Sequence, residues 1–344
     1  MLKKIFFAAS IFLIIFFLIG GISFYRGVYS ASKDLKEKIT IEIKEGETLS
    51  GLAKKLEEQG VIKSEFFFKL YTKLTKVNPN ITTGIFQIEP PITVPKILDA
   101  LKNSSTPERS VTIIPGWDLR DMEEYFGKQN ITTSSEWYDL VGEPAKFTSV
   151  SSTLFEEFSL LKSKPHNVSL EGYLAPETYR IFKNEKIEDV VKRLLAQRQK
   201  EFTIQMLEDI KASNRTVHEV LTLASILEKE VKTPEDRKLV ADLFLRRIKM
   251  GWGLQADSTI HYLSGREGDV FTKSKERQID SLWNTYKYRD LPPGPISSPS
   301  ISSIMAAIYP EKNGYYYFLT TPSGEVKYAK TLQEHNANVN KYLR

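Results

Sequence analysis

Hydrophobic positions along this chain fall into three patterns, each predicting a different kind of element. From Ile5 to Tyr25 there is no charged residue, and Ile, Leu and Phe dominate. These 21 residues would form a helix about 30 Å long, the thickness of a bilayer core. The run is longer than the apolar part of a cleavable signal, and Ser30 and Ser32 offer only a weak small-residue cleavage pattern. An uncleaved anchor is therefore expected over residues 1–26. Lys3 and Lys4 precede it, while Arg26, Lys33, Lys36 and Lys38 follow. Long domains translocate largely regardless of such charges, so the expectation is a short cytoplasmic tail, one span, and everything else outside.

The second pattern is strict alternation. After a polar stalk at residues 27–38, which reaches at most about 40 Å, Ile39-Thr40-Ile41-Glu42-Ile43 reads as a strand ending in the turn residues Lys44 to Glu47. The third is helical spacing. Thr48 can cap a helix carrying Leu49, Leu52, Ala53 and Leu56 and ending near Gly60. Phe66, Phe67, Leu70 and Tyr71 mark a second helix, Gly84 to Ile88 another strand, and Thr93-Val94 a helix through Leu98 and Leu101.

Further along, Ser110 to Ile114 reads as a strand before Pro115-Gly116-Trp117, and a helix passes through Met122 and Tyr125. Residues 145–168, rich in Ser, Thr and Lys, read as a mobile connection, and 170–179 as a polar-aromatic loop. One long helix is expected from Ile187 to Ala212. Thr216 and Glu219 form a capping box for a helix starting near Val217, and Thr233-Pro234-Glu235-Asp236 opens another that Gly251 ends. Residues 252–300 look loop-rich. Tyr315 to Phe318 and Val326 to Tyr328 suggest a hairpin around Pro322-Ser323-Gly324, and an amphipathic helix runs from Thr331 to the end. The fold class expected is α+β, with a span at 1–26, a linker at 27–38, a small unit at 39–105 and a large one at 106–344.

Composition narrows the chemistry. With no Cys, disulfides, thiol catalysis, zinc–thiolate sites and Cys-borne lipid anchors are excluded. His166, His218, His261 and His335 stand far apart with no His-x-x-x-His pair, so neither a metal nor another cofactor is expected. The net charge of +5 is mild and the basic residues are interspersed with acidic ones, which argues against a nucleic-acid partner. Ser159-x-x-Lys162 resembles part of a serine acyl-transferase motif but has no Lys-Thr-Gly partner, and is read as chance.

Candidate chemistry concentrates at 221–230, Leu-Thr-Leu-Ala-Ser-Ile-Leu-Glu-Lys-Glu, where a helix apolar on all sides suddenly carries two carboxylates. Behind Glu228 stand Ser225, Ala224 and Leu221; behind Glu230 stand Leu227, Ile226 and Leu223. A poorly solvated carboxyl at a helix C-terminus has a raised pKa, as a general acid near neutral pH requires. Two residues apart, the pair points to different sides of the helix and cannot share one site. By pattern alone either Glu could serve, and Glu228 could equally pair with Lys232.

Four segments in order then resemble one family. They are Leu170-Glu171-Gly172-Tyr173-Leu174-Ala175-Pro176-Glu177-Thr178-Tyr179, Ala224 to Glu230, Leu254-Gln255-Ala256-Asp257-Ser258-Thr259-Ile260-His261-Tyr262, and Asn284-Thr285-Tyr286 with Leu291-Pro292-Pro293-Gly294-Pro295-Ile296. The pattern is similar to that of the endolytic murein transglycosylases, the YceG-like family, from the anchor to the C-terminus. The resemblance implies a single-span enzyme of the cytoplasmic (inner) membrane, its catalytic domain outside, cutting nascent peptidoglycan strands internally, with cell-wall synthases as a further class of partner. It places the catalytic Glu on Glu228. It implies that Gln255, Asp257, Ser258, Asn284 and Tyr286 line the glycan cleft, with Glu171 as a further motif position. Leu174-Ala175 departs from the aromatic or Phe that many relatives carry before the Pro. Separately, Ile43 to Leu49 with Leu52-Ala53 resembles a LysM module, a β-α-α-β fold that binds N-acetylated cell-wall sugars; a structural subdomain that binds nothing fits the same residues.

A lytic transglycosylase needs one carboxyl, because the sugar's own 6-hydroxyl replaces the water of a hydrolase. The competing readings are a membrane-anchored peptidoglycan-binding scaffold and a water-using muramidase with Asp257 or Glu171 as second carboxylate. Pro292 to Pro295 reads as a rigid turn or cleft floor, and Tyr315 to Tyr317 as hairpin packing rather than a sugar platform.

Overall fold

The computed structural model describes residues 2–30, 38–43, 47–76, 84–102, 108–150, 152–182, 185–265 and 275–343, and divides the chain into units Met1–Arg109 and Ser110–Arg344. The sequence-predicted turn at 44–47 lies largely outside the described residues, as do most of the stalk and the end of the small unit.

In the first unit α1 (Leu2–Tyr29) is followed by β1 (Ile39–Ile43), α2 (Leu49–Glu58), α3 (Glu65–Thr75), β2 (Gly84–Ile88) and α4 (Val94–Lys102). Within α1, Ile11–Tyr29 is the one segment among the described residues long and apolar enough to cross a membrane. The helix runs past the expected boundary at 26. Val28 is fully buried, Phe24 meets Phe67 edge-on at 6.0 Å, and a side chain at Gly27 would collide with Phe67. The start of the expected polar stalk is thus helical and packed against α3. β1 pairs antiparallel with β2, Ile41 opposite Phe86, and both strands bury their apolar side with Leu52, Leu56, Phe68, Ile97 and Leu98. Caps at Thr48 and Ser64 start α2 and α3.

The second unit contains β3 (Glu108–Thr112, crossing the unit boundary), α5 (Leu119–Lys128), α6 (Ser134–Val141), α7 (Ser152–Glu157), a 3-10 turn at Ser159–Ser163, β4 (Thr178–Phe182), α8 (Ile187–Glu201), α9 (Ile204–Ala212) and α10 (Val217–Glu230). Then come α11 (Pro234–Lys249), α12 (Asp257–Ser264), α13 (Ile301–Ile308), β5 (Tyr317–Thr320), β6 (Val326–Ala329) and α14 (Leu332–Tyr342). β3 pairs with β4, and β5 with β6 antiparallel. The α+β class is as expected, with little sheet among the described residues.

α10 is the axis of this unit. Thr216 and Glu219 form the capping box, and every residue from Val220 to Leu227 is buried. α11, α12 and α13 pack around it. Because no side of α10 meets water between Val220 and Leu227, residues 228–230 are where the core opens to the surface at its C-terminal end.

Three expectations need correction. Residues 145–168 are not a loose connection: Leu154, Phe158, Leu160, Leu161 and Val168 all enter the core. The expected helix from 187 to 212 is two, divided where Thr203 caps α9 through the Met206 amide. The loop-rich reading of 252–300 misses α12.

Candidate active site

The last turn of α10 sends its two carboxylates to opposite partners. Glu228 lies against the start of α13. Its Oε2 accepts from the Ser300 amide (2.9 Å), the Ser300 hydroxyl (2.5 Å) and the Ser303 hydroxyl (2.7 Å), and its Oε1 pairs with Arg237 Nη2 (2.9 Å). The Glu228 side chain is only 8% exposed. Both oxygens are therefore engaged, and the carboxylate clasps α10 to α11 and α13 while reinforcing the Ser300 cap. The poorly solvated pocket expected behind Glu228 is instead lined with donors.

Glu230 faces α12. Its Oε1 accepts from the Ser258 amide (3.2 Å), in the first turn of that helix. The residue stays partly accessible while its carboxyl lies largely out of water. Burial raises its pKa; hydrogen bonding from Ser258 works against the rise, Asp257 adds to it, and Arg247 opposes it. Raised above the ordinary carboxyl range by burial, Glu230 has the property expected from the sequence at Glu228.

Asp257 opens α12 and accepts from the Tyr286 hydroxyl (2.7 Å), with Arg277 Nη2 at 3.5 Å and the Arg277 guanidinium 4.7 Å from the Tyr286 ring. Burial, then Asp257, pushes the Tyr286 hydroxyl upward, so it remains a donor. Gln255 adopts a left-handed backbone (φ 53°) and exposes its side chain; its amide donates to the Thr285 carbonyl (3.1 Å). Asn284 lies elsewhere. It is fully buried, its amide donates to the Arg277 and Ile279 carbonyls (3.0 and 2.8 Å), and its oxygen accepts from the Tyr286 amide (3.0 Å). It shapes the loop that carries Tyr286 rather than facing a ligand. Glu171 is also fully buried, its Oε2 accepting from the Leu119 amide and the Tyr262 hydroxyl, both at 3.1 Å. Burial, then Asp118, raises it well above the ordinary carboxyl range. The structure thus brings together Glu230, Asp257, Ser258 and Tyr286, sets Gln255 at their edge, and leaves Glu171 and Asn284 interior.

Two contributors escaped the sequence reading. Thr285 Oγ1 accepts from the Ala256 amide (3.0 Å) and lies 3.0 Å from Thr259 Oγ1, locking the Gln255 loop to the Tyr286 loop. Arg247 donates to the Leu254 carbonyl (2.6 Å) and the Tyr316 carbonyl (2.6 Å) while facing Glu230 and Tyr286. A signal for Arg247 existed: with Val240 and Phe244 it continues the buried stripe of α11 at helical spacing.

A carboxyl of raised pKa ringed by amide, hydroxyl and guanidinium groups is the arrangement that proton transfer to a polar substrate requires. A family model described as the YceG-like family matches residues 41–341, and the chain belongs to this family. An endolytic murein transglycosylase of Bacillus subtilis (strain 168) is 31% identical over 338 residues, covering 95% of this chain and 91% of the relative. A protein of the same name from Streptococcus pneumoniae (strain ATCC BAA-255 / R6) is 30% identical, covering 90% of this chain and 59% of the relative. The crystal structure of a YceG-like protein from Listeria monocytogenes aligns with a TM-score of 0.57 at 29% identity, over 88% of this chain and 99% of that one.

Proposed function

We propose that the chain is a membrane-anchored lytic transglycosylase that cuts the β-1,4 bond between N-acetylmuramic acid and N-acetylglucosamine inside nascent peptidoglycan strands. Family membership and the relatives' shared name support the general activity. The acid assigned is Glu230 rather than Glu228. The observation that carries this choice is that Arg237, Ser300 and Ser303 engage both Glu228 oxygens, whereas Glu230, which accepts from the Ser258 amide, is raised above the ordinary carboxyl range by burial.

In this mechanism protonated Glu230 gives its proton to the bridging oxygen as the glycosidic bond breaks, leaving positive charge at the anomeric carbon. The 6-hydroxyl of the same sugar attacks that carbon, and the Glu230 carboxylate accepts the hydroxyl proton. The product is a 1,6-anhydro end, and the carboxyl returns to its starting state. The Ser258 amide holds Glu230 in place through the charged phase, and Asp257 with Tyr286 presents a polar wall for sugar hydroxyls. A water-using muramidase with Asp257 as second carboxylate is the alternative, favoured by the electrostatic influence of Asp257 on Glu230. The apolar segment Ile11–Tyr29 would cross the cytoplasmic membrane with the second unit outside, and the β1-α2-α3-β2 order of the first unit is compatible with a LysM-like glycan-binding role.

Mass spectrometry of products from purified murein tests this reading. Anhydro ends that depend on Glu230 are expected; reducing ends would favour the muramidase, and no cleavage would leave a binding scaffold.

A further inference from the structure

We propose that Trp252 forms an aromatic shelf that binds a sugar ring of the glycan strand beside the reacting bond. This rests on the transglycosylase reading and assigns to the same cleft a subsite of its own. Trp252 follows the end of α11 and is 43% exposed. An indole left this open costs hydration free energy unless a ligand covers it.

The shelf is built rather than loose. The Trp252 amide donates to the Arg247 carbonyl (2.8 Å). Beside it, a side chain at Gly253 would come within 2.8 Å of the Thr285 carbonyl oxygen, so the loop presses directly on the segment carrying Tyr286. The indole ring meets Tyr316 at 5.8 Å and Tyr317 at 6.3 Å, inclined 47° and 46°. Those rings are themselves held. The Arg246 guanidinium lies 5.2 Å from Tyr316, and Tyr317 stacks on His335 at 5.4 Å with Arg247 at 5.4 Å.

The occupant follows from what the shelf adjoins. Arg247 hydrogen-bonds beneath Tyr316, packs on Tyr317 and acts electrostatically on Glu230, so one guanidinium joins the shelf to the acid. The Thr320 hydroxyl, on the same strand as Tyr317, donates to the Glu230 carbonyl (3.3 Å). Gln255, exposed three residues from Trp252, supplies an amide able to pair with hydroxyl or N-acetyl groups. An apolar ring face edged by a polar amide matches a pyranose, whose C–H face is apolar and whose rim is polar.

The test uses the full chain in detergent micelles with soluble, uncrosslinked glycan strands. Trp252→Ala is expected to raise KM about tenfold, the scale of losing one stacked ring, with kcat within about twofold; Trp252→Phe should recover most of the loss. In a Glu230→Gln background the strands should shift Trp emission to shorter wavelength, and Trp252→Ala should remove that shift. An unchanged KM for Trp252→Ala, or an emission shift that survives it, overturns the shelf. If strands shift the Trp252 emission but the wild-type protein never cuts them, the shelf stands and the catalytic reading fails. If strands are cut by wild type and by Trp252→Ala with equal KM, the converse holds.

Discussion

The two sides of the last turn of α10 carry the same side chain in opposite circumstances. On the α13 side Glu228 is enclosed and satisfied by Arg237, Ser300 and Ser303. On the α12 side Glu230 accepts the Ser258 amide and is pushed toward its neutral form by burial. The contrast separates structure from chemistry. A carboxylate engaged at both oxygens stabilises the fold and has little capacity left for proton exchange, whereas one that burial pushes toward its neutral form can give and take a proton.

The most forceful way to break this contrast is to remove each proton carrier in turn. Glu230→Gln should lower the cleavage rate by a hundredfold or more, roughly the share general acid catalysis contributes, with an unchanged melting curve. Rates near wild type for this variant would return the acid to Glu228. Glu228→Gln should act on stability instead, because it leaves Arg237 without its charged partner in a poorly solvated place. A loss of about 3 kcal/mol, or roughly 6–12 °C in Tm for a unit of this size, is expected in calorimetry, with the activity of the folded fraction retained. A dead Glu228→Gln protein with a normal Tm would reverse the assignment.

A subtler test uses pH. The acid form of Glu230 is the working form in the free enzyme, so kcat/KM should fall as pH rises through its raised pKa. Asp257 contributes to that rise, so Asp257→Asn should move the falling limb to lower pH. A falling limb that stays in place would show that the influence of Asp257 is screened. The smallest effect is expected at Glu171, whose folded pKa is raised above its unfolded value. Its contribution to stability is complete below the unfolded pKa and is lost as pH rises through the folded one. Glu171→Gln should therefore match wild type in acid and equal or exceed its Tm at neutral pH. A lower Tm at neutral pH would mean that the charged form is the one the fold stabilises.

Much of this was legible in the residues, for physical reasons that also explain the rest. α10 could be read because its capping box and unbroken apolar run are local signals, and the hairpin of β5 and β6 because its turn chemistry is local too. Which carboxylate works is not local. Glu228 and Glu230 have nearly identical sequence surroundings, and partners on other helices distinguish them, from Arg237 nine residues on to Ser303 75 residues on. Residues 145–168 looked loose because Ser, Thr and Lys crowd around a few apolar positions; a short helix and a 3-10 turn nonetheless bury Leu154, Leu160 and Leu161. Asn284 was expected at the cleft because it matches a polar position of the family motif, and its side chain serves the loop backbone instead.

The clasp at Glu228 also has a consequence for how the protein is made. Ser303 lies 75 residues downstream of Glu228 and Ser258 lies 28 beyond Glu230. During synthesis from the N-terminus, α10 exists long before either carboxylate meets its partners. A nascent or prematurely ended chain lacking α13 has Glu228 without its serine donors, beside the helix end that also carries Glu230. Arrival of α13 is thus a condition for satisfying Glu228, and the helix turn that also carries Glu230 gains this clasp only then.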